Sequence, residues 1–164
     1  MASAGMADPS QTPDDDGAGP RRTLAAAEAH CAAAHLRLTP VRRRTLEILA
    51  GEGRAIGAYA LLDRLREEGL GAQPPVAYRA LDFLVTNGMA HRLGGSGGYV
   101  ACAHPGEPHT PALLVCRTCG VVEETRSAPA KGALGAAARA SGFRIERAVV
   151  EAEGLCPSCV EVDP

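Results

Sequence analysis

The stretch Pro74–Ala101, PPVAYRALDFLVTNGMAHRLGGSGGYVA, decides the fold class that we predict for this chain. Its first half predicts a helix, because prolines open it and a repeating apolar face then runs as far as Gly88. Its second half predicts a β-hairpin, because two short segments flank a glycine-rich tip over residues 94–98. A short helix followed directly by such a hairpin is typical of the winged helix-turn-helix.

The residues before this stretch predict three more helices. An alanine-rich helix runs from about Thr23 to Arg37, and Thr39-Pro40 then supplies the N-cap and the first-turn proline of a second. A third helix runs from about Ala58 to Glu68, with leucines on its inner face. A winged helix-turn-helix places one of its helices in the major groove of DNA.

The sequence pattern changes after Cys102. Segments typical of strands surround one predicted helix, Ala128–Ser141; these strands are Ala112–Cys116, Val121–Thr125 and Phe143–Glu151. We therefore predict an α+β protein. It has a disordered acidic tail over residues 1–22, a winged-helix DNA-binding domain over 23–101, and a small α/β domain over 102–164.

Charge is distributed unevenly along the 164 residues, although 17 Lys+Arg and 19 Asp+Glu give a net charge of only −2. Residues 1–20 contain four acids and no base, whereas residues 21–100 contain eleven arginines and seven acids. The guanidinium group suits phosphate and base edges, so the basic middle segment is compatible with nucleic-acid binding. A general arginine bias of the source genome explains the same counts.

Four of the six cysteines form two Cys-x-x-Cys pairs, Cys116/Cys119 and Cys156/Cys159. Each such turn directs two thiolates at one point, and two turns complete the tetrahedral sulfur shell that structural zinc prefers. A thioredoxin-like redox pair would need one Cys-x-x-Cys opening a helix in a βαβ unit, and an iron–sulfur cluster is a further alternative. We predict a structural zinc site that contributes much of the folding energy of residues 102–164.

Further donors flank the predicted wing and the first cysteine pair: His91, Cys102, His109 and Glu124. Together they form a mixed nitrogen, sulfur and oxygen set that suits Zn²⁺. Taken singly, each has an ordinary interpretation as a surface histidine, a small buried thiol, a loop histidine or a solvated acid. His104 competes with His109 for the same role.

Other classes of protein are disfavoured by the sequence. No apolar run reaches the length of about 18 residues that a membrane span requires, and no signal-peptide pattern is present. We therefore expect a cytoplasmic protein whose cysteines are reduced. No nucleophile motif or phosphate loop is present, and both cysteine pairs have a structural explanation, so we predict no enzymatic activity and no catalytic residues.

Several motifs, in order along residues 23–161, resemble the ferric uptake regulator (Fur) family. They are Leu38-Thr39-Pro40-Val41-Arg42, Pro74–Leu81, Cys116-Arg117-Thr118-Cys119-Gly120 and the closing Cys-x-x-Cys. Within that family the chain is most similar to the zinc-uptake repressors (Zur). The segments that carry this likeness are Ala58-Tyr59, Arg79–Leu84, Tyr99–Cys102 and Gly154–Val162. Iron-sensing members have a histidine-rich stretch before the first cysteine pair, where only His109 stands here.

The resemblance implies a zinc-responsive transcriptional repressor that binds palindromic operator DNA as a homodimer and controls zinc-uptake genes. It makes residues 102–164 the zinc-binding and dimerisation domain. It implies two zinc ions per subunit: a structural ion on the four paired cysteines and a regulatory ion on His91, Cys102, His109 and Glu124. Tyr59 and Arg79 match DNA-contacting positions, and Tyr78 lies in the same recognition helix. No membrane or small-molecule substrate is expected as a partner. The alternatives are a sensor of iron, manganese or peroxide in the same family, and a zinc-ribbon interaction module without DNA binding.

The chain departs from the family pattern at two places. Val76-Ala77 replaces the usual Thr-Val before Tyr78, so a hydroxyl is missing at the start of the recognition helix. The segment from Cys102 to His109 is about one residue short, which leaves His104 as an alternative ligand.

Two smaller expectations concern pairs and clusters on helices. Asp63 and Arg66 pair either within their helix or between dimers, and His30, Cys31 and His35 lie on a helix surface.

Overall fold

The computed structural model describes residues 18–70, 73–127, 131–146 and 148–162. Its first elements are the helices α1 (Ala18–Ala33), α2 (Pro40–Glu52), α3 (Ala58–Glu67) and α4 (Pro74–Thr86). The start of α2 follows from its sequence, because Thr39 accepts a hydrogen bond from the Arg42 N–H at 3.4 Å. Gly53 ends the same helix in the left-handed conformation, with φ of 60°.

The first four helices share one apolar core. Its fully buried leucines come from the inner faces of α2, α3 and α4: Leu46, Leu49, Leu61, Leu65, Leu81 and Leu84. The chain then forms the antiparallel strands β1 (Ala90–Arg92) and β2 (Tyr99–Ala101), in which His91 stands opposite Val100. A backbone bridge from Ile56 to Tyr99 ties this hairpin to the helices. This is the helix order and wing of a winged helix-turn-helix.

The C-terminal part contains β3 (Thr110–Cys116), β4 (Val122–Ser127), α5 (Ala133–Ala140), β5 (Val150–Gly154) and α6 (Pro157–Val160). The strands form one sheet in the order β4-β3-β5, with β4 antiparallel and β5 parallel to the central β3. The parallel pairing requires a crossover connection between the strands, and α5 lies within it. The described residues therefore form the predicted α+β arrangement.

The sheet packs against the wing. Leu113 of β3 is fully buried in a small cluster with Leu93 and Val100 of the wing region. A second junction joins the end of α2 to the start of β4, because the Val122 N–H donates to the Gly53 carbonyl at 3.1 Å. The two parts of the chain are thus held in one defined relative orientation.

The limits of two predicted elements differ from the structure. The first helix begins at Ala18 rather than Thr23, and the remainder of the predicted acidic tail, residues 1–17, lies outside the described residues. The last strand is β5, whereas a strand was predicted over Phe143–Glu151. Phe143 is 72% exposed, so its alternation with Ile145 does not mark a half-buried strand.

Cys31 was predicted on a helix surface together with His30 and His35, and this was wrong. Its side chain is 3% exposed and its thiol lies 3.6 Å from the Met89 sulfur, inside the helical core. A free cysteine commonly behaves as a small apolar residue, and this one packs as such. Within the described residues, no helix combines the length and the apolar character that crossing a membrane requires.

Candidate metal centres and nucleic-acid interface

The two cysteine pairs meet at the end of the C-terminal sheet. Cys116 ends β3, and Cys119 follows in a turn that Gly120 closes with φ of 75°. Cys156 is the N-cap of α6, and Cys159 lies one turn further along it. The parallel pairing of β3 with β5 brings the two turns together, because Cys116 stands level with Gly154 at the end of β5.

The geometry of this four-cysteine cluster fits a zinc ion. All four sulfur atoms lie within 4.8 Å of one another, and those of Cys119 and Cys156 are 3.6 Å apart. Tetrahedral Zn–S bonds of about 2.3 Å would place neighbouring sulfurs about 3.8 Å apart. The donor set therefore has the spacing that structural zinc requires.

The protonation of the cluster shows how closely its thiols are packed. Backbone N–H groups of Cys119 and Cys156 lower the pKa of the Cys116 thiol to about 6. A hydrogen bond with Cys156 raises the pKa of the Cys159 thiol to about 12. Thiolates that must lie this close repel one another, and a divalent cation at their centre relieves that repulsion.

The second candidate centre draws its donors from both parts of the chain. His91 lies in the wing strand β1, and Cys102 follows β2 directly. His109 precedes β3, and Glu124 lies in β4. One donor atom from each of these residues lies within 4.8 Å of the other three. The structure thus brings together the four residues that the sequence placed in one mixed site.

The donor atoms of the mixed cluster lie at or somewhat below the separations of a tetrahedral metal site. His109 Nε2 lies 2.8 Å from Glu124 Oε1 and 3.5 Å from the Cys102 sulfur. His91 Nε2 lies 3.1 Å from the same Glu124 oxygen, which is 3.8 Å from the Cys102 sulfur. Zinc bonds of about 2.0–2.3 Å would separate neighbouring donor atoms by about 3.3–3.7 Å.

The hydrogen-bond pattern leaves acceptor atoms facing one another. His109 Nδ1 lies 2.7 Å from the Glu107 carbonyl, which can only accept, so Nδ1 carries the proton. In the neutral ring, Nε2 then directs a lone pair at the Glu124 carboxylate. His91 Nε2 is buried without an aligned hydrogen-bond partner. Buried donor atoms that face one another in this way are the arrangement that a bound cation completes, so the residues fit a zinc ion.

The acid and the thiol of this site differ in protonation. Burial alone would raise the pKa of the Glu124 carboxyl, but the nearby His91 imidazole and the Ala103 N–H lower it to about 2. The N–H of Ala103 donates to Glu124 Oε2 at 2.7 Å, which fixes the carboxylate in place. Burial, together with the charge of Glu124, raises the pKa of the Cys102 thiol to about 12. A metal that binds here must displace the thiol proton.

The connection between Cys102 and His109 folds as a tight loop. Gly106 has φ of 81°, and a side chain there would collide with the His30 ring at 2.9 Å. The His30 ring of α1 therefore lies against the loop that carries His109, and it also contacts the Asn87 carbonyl at the end of α4 at 3.1 Å. The His104 ring lies edge-on to His109, with 5.7 Å between centroids, and His104 is outside the four-residue cluster. The shortened loop thus presents His109 rather than His104 to the site.

The candidate DNA-contacting residues are exposed on α3 and α4. Tyr59 is 72% exposed near the start of α3, while Tyr78 and Arg79 are exposed in the first half of α4. Prolines at the start of α4 set its first turn in place of the missing hydroxyl. These side chains are available to a groove, as a recognition helix requires.

Four other arginines of the helical region, Arg43, Arg44, Arg64 and Arg66, pair with acids. Arg43 pairs with Glu28 and Glu47, and Arg44 pairs with Glu47 and Glu68. Arg42 stacks over the Phe83 ring at 3.6 Å. Arg66 lies 3.2 Å from Asp63 within α3, the local pairing of the two that the sequence left open. The number of arginines therefore does not by itself indicate where DNA would bind.

Sequence analysis missed the groups that orient the ligands. The Glu107 carbonyl and the Ala103 N–H are backbone atoms, so no residue type marks them. Hydrogen bonds of this kind fix the orientation of a histidine ring or a carboxylate that binds a metal.

No family model matches the chain. The zinc uptake regulation protein of Escherichia coli (strain K12) is 42% identical over 141 residues, which cover 85% of this chain and 82% of that protein. A zinc uptake regulator solved in complex with zinc and DNA superposes with a TM-score of 0.81 at 41% identity, covering 88% of this chain and 97% of that one.

Crystal structures of the regulator XcZur in its holo and apo forms allow a further comparison. The holo form gives a TM-score of 0.76 over 85% of this chain and 98% of that one, and the apo form gives 0.52 over 87% and 99%, each at 38% identity. The two comparisons have the same sequence identity, and this chain is more similar in overall structure to the holo form than to the apo form. Its identity to the Escherichia coli protein and its match to these structures lead to one assignment: the chain belongs to the zinc uptake regulator branch of the ferric uptake regulator family.

Proposed function

We propose that this protein is a cytoplasmic, zinc-responsive transcriptional repressor that binds palindromic operator DNA as a homodimer and controls zinc-uptake genes. One observation carries the proposal. The mixed donor set joins the wing of the DNA-binding part, through His91, to the C-terminal sheet, through Glu124. A site built across two parts of a chain can make their relative orientation depend on its ligand.

The four cysteines of the sheet end, Cys116, Cys119, Cys156 and Cys159, would hold a structural zinc ion, and the mixed donor set would hold the regulatory one. When bound, zinc supplies a single Lewis-acidic centre for these donors. His91 moves with the wing and Glu124 with the sheet, so their donor atoms converge only when the wing lies on the sheet. A change from 1:99 to 99:1 in favour of that arrangement requires a differential affinity of about 10⁴.

The C-terminal part offers a surface for a second copy of the chain. Its exposed apolar side chains include Leu114 of β3, Leu134 of α5, and Phe143. Leu114 is adjacent to Leu113 in the strand, so it points to the sheet face opposite the wing. A dimer through this part leaves both wings free. Fixing the angle of each wing then fixes the spacing between the two recognition helices.

Donor chemistry favours zinc over the other metals sensed in this family. One thiolate, two imidazoles and one carboxylate suit Zn²⁺, whereas Mn²⁺ disfavours a thiolate ligand. The same set gives no reason to expect peroxide chemistry.

The proposal predicts operator binding that depends on free zinc. Operator affinity should be measured by fluorescence anisotropy against buffered free zinc, iron(II) and manganese(II), at one salt concentration because phosphate contacts make binding salt-dependent. We expect tight binding of two chains per palindrome with zinc alone. Binding driven by iron or manganese would indicate a different sensor, and sequence-independent or absent DNA binding with all three metals would indicate an interaction module.

Arg79 is proposed as a base-reading residue of α4, with Tyr78 beside it and Tyr59 at the neighbouring helix. A bidentate contact between arginine and guanine contributes about 1–3 kcal/mol of discrimination. We therefore expect Arg79→Ala to weaken operator binding by about 10- to 100-fold at saturating zinc and to reduce discrimination at one base pair. Arg144→Ala removes the same charge from an exposed position in the C-terminal part and serves as the control. If the two variants bind the operator with equal affinity, Arg79 does not read a base pair.

A further inference from the structure

A row of three side chains crosses the C-terminal sheet. Leu113 of β3 is level with Glu124 of β4 on one side and with Glu151 of β5 on the other. Residues level with one another on neighbouring strands point to the same face. Because Leu113 packs against Leu93 and Val100, this is the face that meets the wing.

The wing presents a matching series of groups to that row. His91 lies near Glu124 in the mixed donor cluster, and Leu93 packs on Leu113. Gly94 and Gly95, the next residues of the wing turn, lie against Glu151. The sheet therefore contacts the wing at three points, of which only the first belongs to the mixed metal site.

Glu151 forms the third contact by accepting two backbone hydrogen bonds. The Gly94 N–H donates to Oε2 at 2.8 Å, and the Gly95 N–H donates to Oε1 at 3.1 Å. A Cβ atom on Gly95 would lie only 3.0 Å from Oε1, so the glycine permits this close approach. Both oxygens of one carboxylate are thus used to hold a turn that belongs to the DNA-binding part.

We propose that Glu151 is a positioning residue that holds the wing on the sheet in the orientation required for zinc and operator binding. This inference rests on the function proposed above. Its two hydrogen bonds join groups from different parts of the chain, so they exist only in this orientation, and the structure as a whole is more similar to holo XcZur than to apo XcZur. By linkage, a contact that stabilises this orientation strengthens binding of every ligand that prefers it.

Glu151 is two strands away from Glu124, which corresponds to about 10 Å across the sheet. It is therefore not a ligand of the mixed site, and its effect on metal affinity acts through the wing. Charge-assisted hydrogen bonds at an exposed position are modest individually. For the pair we expect about a tenfold change in binding.

Three variants test this role. Glu151→Asp keeps the charge but is one methylene too short to reach both N–H groups, and Glu151→Gln keeps the length but removes the charge. Glu153→Gln is the matched control, because Glu153 is an exposed acid on the same strand for which the described residues show no hydrogen bond to the wing. Comparison with this control separates the contact from any general effect of charge on DNA.

The first measurement needs no DNA. Zinc affinity of the mixed site is determined by chelator competition, and amide exchange of Gly94 and Gly95 is followed by NMR. We expect both Glu151 variants to bind this zinc about tenfold more weakly and to lose protection at the two glycines, while Glu153→Gln resembles the wild type. Operator titrations at equal zinc occupancy then measure the affinity for DNA, which is the second ligand that prefers this orientation. Unchanged zinc affinity in both Glu151 variants, with or without a lower melting temperature, would overturn the proposal. Absence of operator binding by the wild type would instead refute the proposed function.

Discussion

Replacement of Cys156 by serine should unfold the C-terminal sheet and abolish dimerisation. After residue 102, the buried apolar side chains among the described residues are Pro105, Pro111, Ala112, Leu113 and Cys116, which is a small core for a separate unit. Structural zinc in small domains contributes roughly 10–16 kcal/mol of apparent binding energy, so loss of the ion removes free energy comparable to the whole stability of a typical domain. Zinc content, circular dichroism and sedimentation measure the result.

Ser158→Ala is the control for this substitution. Ser158 is an exposed residue of the same Cys-x-x-Cys turn, and its change leaves all four sulfurs in place. We expect this control to retain both zinc ions, the dimer and the wild-type melting temperature. A Cys156→Ser protein that also kept both ions and its native melting temperature would contradict the assignment of a structural site.

Replacement of Cys102 by serine should abolish zinc-dependent operator binding while leaving a folded dimer. The Cys102 sulfur lies within 4.8 Å of the donor atoms of His91, His109 and Glu124, and its side chain is fully buried at the junction of the two parts. A neutral hydroxyl is a poor replacement for a thiolate on zinc. Without it, the preference for the operator-binding orientation is lost, and we expect operator affinity at saturating zinc to fall by at least about 100-fold.

His104→Ala provides the matched control at the same loop. The His104 ring stacks edge-on against His109 but lies outside the donor cluster, so this variant should keep zinc-dependent binding within a few-fold of wild type. The two sites are separated by zinc stoichiometry, since Cys102→Ser should lose one ion per chain and retain the structural one. Operator binding by Cys102→Ser that still appears only on addition of zinc would refute the site, and the reverse pattern would identify His104 as the ligand.

Several elements could be predicted because their signals are local. Thr39-Pro40 marks the start of α2, and the glycine-rich tip marks the wing hairpin. The two Cys-x-x-Cys turns define their own ligand geometry over four residues each. Such features depend on backbone preferences and short spacings, which the order of the residues contains directly.

The errors arose where tertiary packing overrides local pattern. Phe143 and Ile145 alternate as in a strand, but the third strand of the sheet is Val150–Gly154, which is mostly exposed and contains two glutamates. Its place is decided by pairing with β3 rather than by its own hydrophobic pattern. Cys31 is buried because α1 packs on the core at that point, and the alanine-rich sequence around it gives no clear face.

By itself, the sequence determined the helix and wing order, the four-cysteine set and the family resemblance, since each depends on residues close together in the chain or on matching motifs. The resemblance also implied one site on His91, Cys102, His109 and Glu124. Only the tertiary structure decided how their donor atoms converge and that Glu151 holds the wing turn. These contacts join residues up to 57 positions apart, and they exist because β3 aligns β4 and β5 on either side of Leu113. Strand register across a sheet is set by the whole packed structure, so no segment of the sequence specifies it alone.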